Sequence, residues 1–386
     1  MASTVAIRTL VVTNDFPPRE GGIQTFVYEL AIRQPAESIV VLAPSWAGAP
    51  EFDATLPFPV VRHRGTTLLP TPEVRRTAVN LFRAQRCDSV WFGAAAPLGL
   101  LARPLRLAGA RRIVASTHGH EAGWAIFPGA RTLLGKIGRD CDLLTYLGDF
   151  TRRRVASVVG SEAPMIRLPP GVETERFHPG VDGSALRASL GVSDRPTVLC
   201  VSRLVPRKGQ DMLIRALPLI HRRVPGAALL LVGGGYDVPR LERLAVTERV
   251  ADDVVFVGSV SADDLPHYYA AADVFAMPCR TRRGGLEAEG LGIVYLEAQA
   301  TGLPVVAGQS GGAPDAVRDG ETGYVVEGRS VEQVADRVAT LLADPVQAKA
   351  MGEAGRQWVE AQWRWDVLAH RLAEALAGSA AVSDSW

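Results

Sequence analysis

Cysteine is scarce in this chain, and its placement excludes more than it admits. Four residues, Cys87, Cys141, Cys200 and Cys279, are spread over 386 positions. None forms a CxxC pair or joins a Cys/His cluster, which argues against a zinc site and a disulfide framework and predicts a reducing, cytoplasmic setting. Long apolar runs are missing as well. No stretch reaches the roughly 18 apolar residues of a membrane span, and the opening MASTVAIRTLVVTNDFPP is too short in its apolar part for a signal peptide. Any membrane is therefore expected to be met from its surface, with no transmembrane segment. Charge of one sign is lacking, at a net +1. The basic residues are not interleaved with aromatics along one stripe, so nucleic-acid binding is not expected. A GxGxxG is absent after the first apolar strand, where a nicotinamide fingerprint would stand.

What is present is alternation. Short apolar runs read as strands at Val5–Val12, Ser38–Leu42, Val60–His63, Ser89–Phe92, Ile113–Ser116, Leu143–Tyr146 and Met165–Leu168. Helical periods fall between them, notably Gln24–Arg33, Glu73–Arg86 and Gly148–Val159. The Pro- and Gly-rich LPPGVETERFHPG, Leu168 to Gly180, breaks the pattern and reads as a linker. Strands then resume at Thr197–Arg203, Ala228–Gly233, Val254–Gly258, Asp273–Pro278 and Pro304–Gly308, and helices close the chain at Val331–Ala343, Pro345–Gln362 and Asp366–Ala377. Nearly all-apolar strands alternating with helices predict an α/β protein with parallel sheets covered on both faces. The expected architecture is two Rossmann-like, doubly wound domains facing across a cleft. Residues 1–170 form the first, 171–365 the second, and a terminal helix in 366–386 packs back on the first. Ligands in such sheets sit at the carboxyl ends of the strands.

Charge is shared unevenly between the two halves. Met1–Leu190 carries 22 Lys and Arg against 16 Asp and Glu, a balance of +6, and the remainder is −5. Such a split suggests an anionic partner for the first half; random surface asymmetry would give the same numbers. Arg75, Arg76, Arg83 and Arg86 share a broad face of one predicted helix, suited to anionic headgroups or equally to solvent.

The unusual residues collect after strands. NDFPPREGGIQTF, Asn14 to Phe26, takes Gly21-Gly22 straight into a helix, where backbone N–H groups and the helix start favour an anion; a plain turn fits as well. THGHE brings His118 and His120 to a strand end, where a ring can bond a substrate hydroxyl or phosphate. With Glu121 they could suggest a metal, but i,i+2 spacing on a loop rarely converges on one ion and no third ligand is evident. RLVPRKGQD places Arg203, Arg207 and Lys208 before a helix, a clamp for a diphosphate. In EAEGLGIVYLEAQ a Gly-rich loop carrying Glu289 runs into a helix starting near Gly292, with Glu297 one to two turns inside. The N–H groups around Ile293 and Val294 would meet a phosphate, and Glu297 would accept from a ribose diol. Glu289 would face the sugar beyond the diphosphate, so the two carboxylates would bracket one extended ligand rather than flank one bond. SGGAPDAVRDGETGYVVEG adds another Gly-Gly turn and a short helix, structural or ligand-directed.

In this order and spacing, GGIQTF, THGHE, PPGVETERFHP, SRLVPRKGQD, GLEAEGLGIVYLEAQATGLPVV and SGGAPDAV resemble the retaining GT-B glycosyltransferases of family 4, over essentially the whole chain. VWFGAAAPL, STHGH and RTRRGGLEAEGLGIVYLEAQA are similar to those members that add the second mannose to phosphatidylinositol monomannoside. The resemblance implies GDP-mannose as donor, no required cofactor or metal, and an anionic lipid acceptor reached by a cytoplasmic, membrane-peripheral enzyme. It implies Arg203 and Lys208 on the diphosphate, Glu297 on the ribose, Glu289 and His118 by the donor sugar, Gly22 in a loop closing over the phosphate, and Val260 meeting the base through its backbone. Either His118 or His120 takes the histidine role. Ala262 and Asp263 do not spell out a guanine pocket. The first domain, with Asp15, Arg75, Arg76 and Arg83, is expected to meet the acceptor. Front-face attack is expected, with a covalent Glu289 intermediate as the alternative. Rival activities on this architecture are transfer from a UDP-sugar to a small acceptor, sugar-nucleotide epimerisation, phosphorolysis or non-catalytic binding.

Overall fold

The computed structural model describes residues 7–119, 127–160 and 163–379. The chain divides into two units, Met1–Gly171 with Trp365–Trp386, and Val172–Arg364. The first holds a seven-stranded sheet ordered β3-β2-β1-β4-β5-β6-β7. Its strands are β1 Thr9–Val12, β2 Ile39–Pro44, β3 Val60–His63, β4 Ser89–Phe92, β5 Arg112–Ser116, β6 Leu143–Tyr146 and β7 Met165–Arg167. Every pairing is parallel, with Thr9 opposite Ile39 on one side and Ser89 on the other.

The period-2 direction of side chains explains why these strands are apolar throughout. Leu10, Val12, Val90, Phe92, Ile113 and Ala115 point to one core, which helices Pro72–Ala84, Ala102–Leu107 and Pro128–Asp140 close with Phe82, Leu105 and Ile137. Val11, Val41, Trp91 and Val114 point to the other, closed by helix Gly22–Ile32 and by the final helix Trp365–Ala377. In the final helix Leu368, Leu372 and Leu376 recur every four residues and are buried, the spacing of a single helix face.

The second unit repeats the winding with six strands ordered β10-β9-β8-β11-β12-β13: β8 Thr197–Val201, β9 Ala228–Val232, β10 Val254–Gly258, β11 Val274–Met277, β12 Val305–Gly308 and β13 Gly323–Val326. All pairings are parallel here too. β13 is an element that the sequence reading had folded into a glycine turn. It has four residues at the sheet edge, as many as β11 and β12, but Tyr324 and Val325 are half-buried where those strands are buried throughout. β1 begins at Thr9, later than expected; Val5 and Ala6 lie outside the described residues. In each sheet the strand order reverses direction between the first strand and the fourth, at β1/β4 and at β8/β11. These are the switch points beside which open α/β sheets bind ligands.

Candidate active site

The chain leaves β8 through Ser202 and Arg203, makes the 3-10 turn Pro206–Lys208, and enters helix Gln210–His221 through Gly209. Gly209 has φ +87°, and a Cβ there would lie 2.1 Å from the Pro278 carbonyl oxygen. A glycine is therefore required for this loop to lie directly against the end of β11. The loop is tied again by Arg280, whose N–H donates to the Arg207 carbonyl at 2.8 Å and whose guanidinium donates to buried Asp211 at 2.8 Å. Gln210, fully buried, donates to the Ser202 hydroxyl at 2.8 Å and the Arg203 carbonyl at 3.1 Å.

From β11 the chain runs through the loop carrying Glu289 into helix Ile293–Ala300. Gly311, at φ +58°, packs against the Glu289 backbone, where a Cβ would come within 2.0 Å of the carbonyl oxygen. The Gly312 N–H donates to that same carbonyl at 2.9 Å. Glu289 itself is 8% exposed. Its Oε2 meets the Arg207 guanidinium at 2.8 Å and the Lys208 ammonium at 2.7 Å. No hydrogen bond reaches its Oε1 among the described residues. The cations expected to clamp a diphosphate thus divide. Lys208 and Arg207 engage a carboxylate, while Arg203 is exposed and its guanidinium has no ion partner among the described residues.

Glu297, one turn into the helix, accepts from the Tyr269 hydroxyl at 2.7 Å. Burial pushes its carboxyl above the ordinary value, and the Tyr269 hydrogen bond and the Arg176 charge pull it back. Burial, with the neighbouring Glu297 charge, holds the Tyr269 hydroxyl well above its own ordinary value, so it remains a donor at neutral pH. Sequence reasoning missed Tyr269 and the Asp211–Arg280 pair. No local signal marks them, since their partners lie 28 and 69 positions away. Ile293 and Val294 open the helix with no side-chain cap. Val260 follows β10 and is half-buried in a loop that is otherwise exposed.

In the first unit, Gly22 begins helix Gly22–Ile32 and is exposed, and a Cβ there would meet nothing within 4 Å. His118 follows β5. Its Nε2 donates to the Gly93 carbonyl at 2.6 Å, and Phe26 meets its ring edge-on at 4.8 Å between centroids. Gly93 stands at the end of β4, so His118 belongs to the switch point of this sheet. His120 and Glu121 lie outside the described residues. Asp15 accepts from Gln24 Nε2 at 2.9 Å. Arg75, Arg76 and Arg83 are exposed along helix Pro72–Ala84, opposite its buried Val74, Ala78 and Phe82. Among the described residues, no group of three or more His, Cys, Asp and Glu is arranged to hold a metal, and no helix is long and apolar enough to cross a membrane.

Known proteins share both units. Residues 20–176 match the model for Glycosyltransferase Family 4, and residues 184–358 that for Glycosyl transferases group 1. A GDP-mannose-dependent alpha-(1-6)-phosphatidylinositol monomannoside mannosyltransferase of Mycobacterium tuberculosis is 54% identical over 378 residues, spanning 96% of this chain and 98% of its own. The chain belongs to this glycosyltransferase family. A second member, the GDP-mannose-dependent monoacylated alpha-(1-6)-phosphatidylinositol monomannoside mannosyltransferase of Corynebacterium glutamicum, is 49% identical over 96% of this chain and 97% of its own. The glycosyltransferase also shares its fold with Anabaena Alr3699/HepE, solved in complex with UDP, at TM-score 0.79 and 20% identity over 96% of this chain and 100% of that one.

Proposed function

We propose that this glycosyltransferase moves mannose from GDP-mannose to phosphatidylinositol monomannoside with retention of configuration, giving the dimannoside. The observation that carries the reading is the Glu289–Arg207–Lys208 cluster at the second sheet's switch point, with Glu297 on the helix that follows, in a chain whose full-length relatives are named for that activity. Arg203, Lys208 and the N–H groups of Ile293 and Val294 take the diphosphate. Glu297 takes the ribose diol and the Val260 backbone the base. Glu289 is assigned to the sugar through its Oε1, and in the first unit His118 is assigned to the sugar and Gly22 to the phosphate.

In this reading the acceptor hydroxyl attacks C1 from the face that GDP leaves. The C1–O bond to the β-phosphate breaks, its electron pair stays on the diphosphate, and the departing phosphate oxygen takes the hydroxyl proton. Charge grows on the diphosphate, so cations and a helix start placed there lower the barrier. Losing one such donor should reduce turnover about 10²–10³-fold.

The acceptor is assigned to the first unit. A groove of about 710 Å³ there is lined by Arg75, Arg76, Arg103 and Lys136 together with Leu107 and Leu133, and Leu107 is 79% exposed. Cations beside exposed leucines suit an anionic lipid surface, so the enzyme works peripherally, on the cytoplasmic face. The test offers labelled GDP-mannose with phosphatidylinositol, its monomannoside and a soluble mannoside, in parallel with Glu289→Gln. Label should enter the monomannoside alone and fall about 10²–10³-fold in the variant. Absence of lipid labelling would overturn the acceptor assignment, and label delivered from UDP-sugars instead would overturn the donor.

A further inference from the structure

We infer that Arg207 is a positioning residue: it keeps Glu289 fixed and charge-compensated while Lys208 is engaged on the donor diphosphate. The inference rests on the donor-site reading above. Both cations meet the same oxygen, Oε2 of Glu289, at 2.8 and 2.7 Å. Donor binding therefore asks Lys208 to serve two anions. A lysine is a point charge on a flexible stem and can turn from one to the other, whereas a guanidinium is a planar fork matched to a carboxylate. Without Arg207, Lys208 turning to the donor would leave Glu289 a buried carboxylate without a counter-charge, a state that strongly resists forming.

Arg207 is built to stay. Its carbonyl is held by the Arg280 N–H at 2.8 Å, and Arg280 is in turn held by Asp211 at 2.8 Å. Arg280 follows β11, the same strand whose outgoing loop carries Glu289, so Arg207 and its carboxylate share one anchorage. The pairing on Oε2 also leaves Oε1 for a sugar hydroxyl.

The test is a double-mutant cycle on full-length protein with GDP-mannose and phosphatidylinositol monomannoside. Arg207→Ala should lower kcat about 10- to 100-fold, the scale of a misplaced catalytic group. KM for the donor should change by less than about fivefold, because the lost interaction is not uniform donor binding. Arg207→Lys should recover only part of the turnover, because a second lysine can also turn to the diphosphate, and in the Glu289→Gln background Arg207→Ala should cost nothing further. A merely structural arginine would lower turnover equally in both backgrounds, and that additive result overturns the proposal. So does a donor KM that rises in step with the fall in kcat, which would place Arg207 on the diphosphate. Glu289→Gln turning over like the parent would instead sink the donor-site reading itself.

Discussion

Replacing Tyr269 with Phe isolates one hydroxyl. The ring is packed edge-on against Phe177 at 5.6 Å and tilted against Phe275 at 5.8 Å, and Phe keeps both contacts. What is lost is the 2.7 Å donor to Glu297 and the longer, 3.4 Å contact of the same hydroxyl with the Val294 carbonyl. A hydrogen bond to a charged group contributes about 1.5–3 kcal/mol, and Glu297 has no other hydrogen bond to its carboxylate among the described residues. Two consequences follow. Burial already raises Glu297 above its unfolded value, so its penalty is absent in acid and appears as pH rises from about 4.3, the unfolded glutamate value, through the higher folded one. Removing the hydroxyl takes away a lowering influence, so the variant should lose more stability over that rise and finish losing it at higher pH. The parent and variant should therefore nearly coincide in acid and separate by about 1.5–3 kcal/mol once Glu297 is ionised in both. The second consequence concerns the ligand, because a ribose diol needs the ionised, oriented carboxylate. If the whole effect appeared there, GDP affinity would fall about 10- to 150-fold. Urea unfolding across pH 4–8 and calorimetric titration with GDP read the two effects separately. Stability curves that superimpose within about 0.5 kcal/mol at every pH, with unchanged GDP affinity, would refute the argument, since this is the ordinary scatter of neutral substitutions.

Three further outcomes are open to direct measurement. Gly22→Ala should leave urea stability unchanged or raise it by up to about 1 kcal/mol, because a Cβ there meets no protein atom. Transfer should nonetheless fall, and full activity would show that no ligand needs that space. Leu372→Ala should cost the first unit about 2–5 kcal/mol, since the side chain is fully buried on the closing helix; a loss below about 1 kcal/mol would mean that this face tolerates its removal. Reversing charge with Arg75→Glu and Arg76→Glu should weaken binding to phosphatidylinositol-containing vesicles by about 1 kcal/mol or more per residue at low salt, and leave neutral vesicles unaffected. Sedimentation of protein with vesicles measures both.

Much of the frame is legible in the sequence because parallel strands covered on both faces must be apolar at every position. Ser89–Phe92, Leu143–Tyr146 and Val254–Gly258 were readable to the residue on that ground. β13 was not, because Gly320, Gly323 and Gly328 around its short YVV run read as a turn. The same split holds at the candidate site. Glu289 before a helix and Glu297 within it follow from glycine placement and local spacing, and the helix indeed opens after Gly292. Their partners do not, because Arg207 and Tyr269 reach them across 82 and 28 positions. A run of three cations could be read as waiting for a phosphate; the fold alone discloses that two of them already hold a carboxylate.

The closing helix has a consequence for how the protein is made. Translation delivers residues from the amino end, and domains ordinarily fold in that order. Here Val172–Arg364 is one continuous stretch, whereas the unit begun by the earliest residues lacks Leu368, Leu372 and Leu376 until the chain has run beyond it. The first sheet synthesised therefore stands with one oily face covered only in part, by helix Gly22–Ile32, while the second is already complete. On the ribosome, the portion started first is the portion finished last.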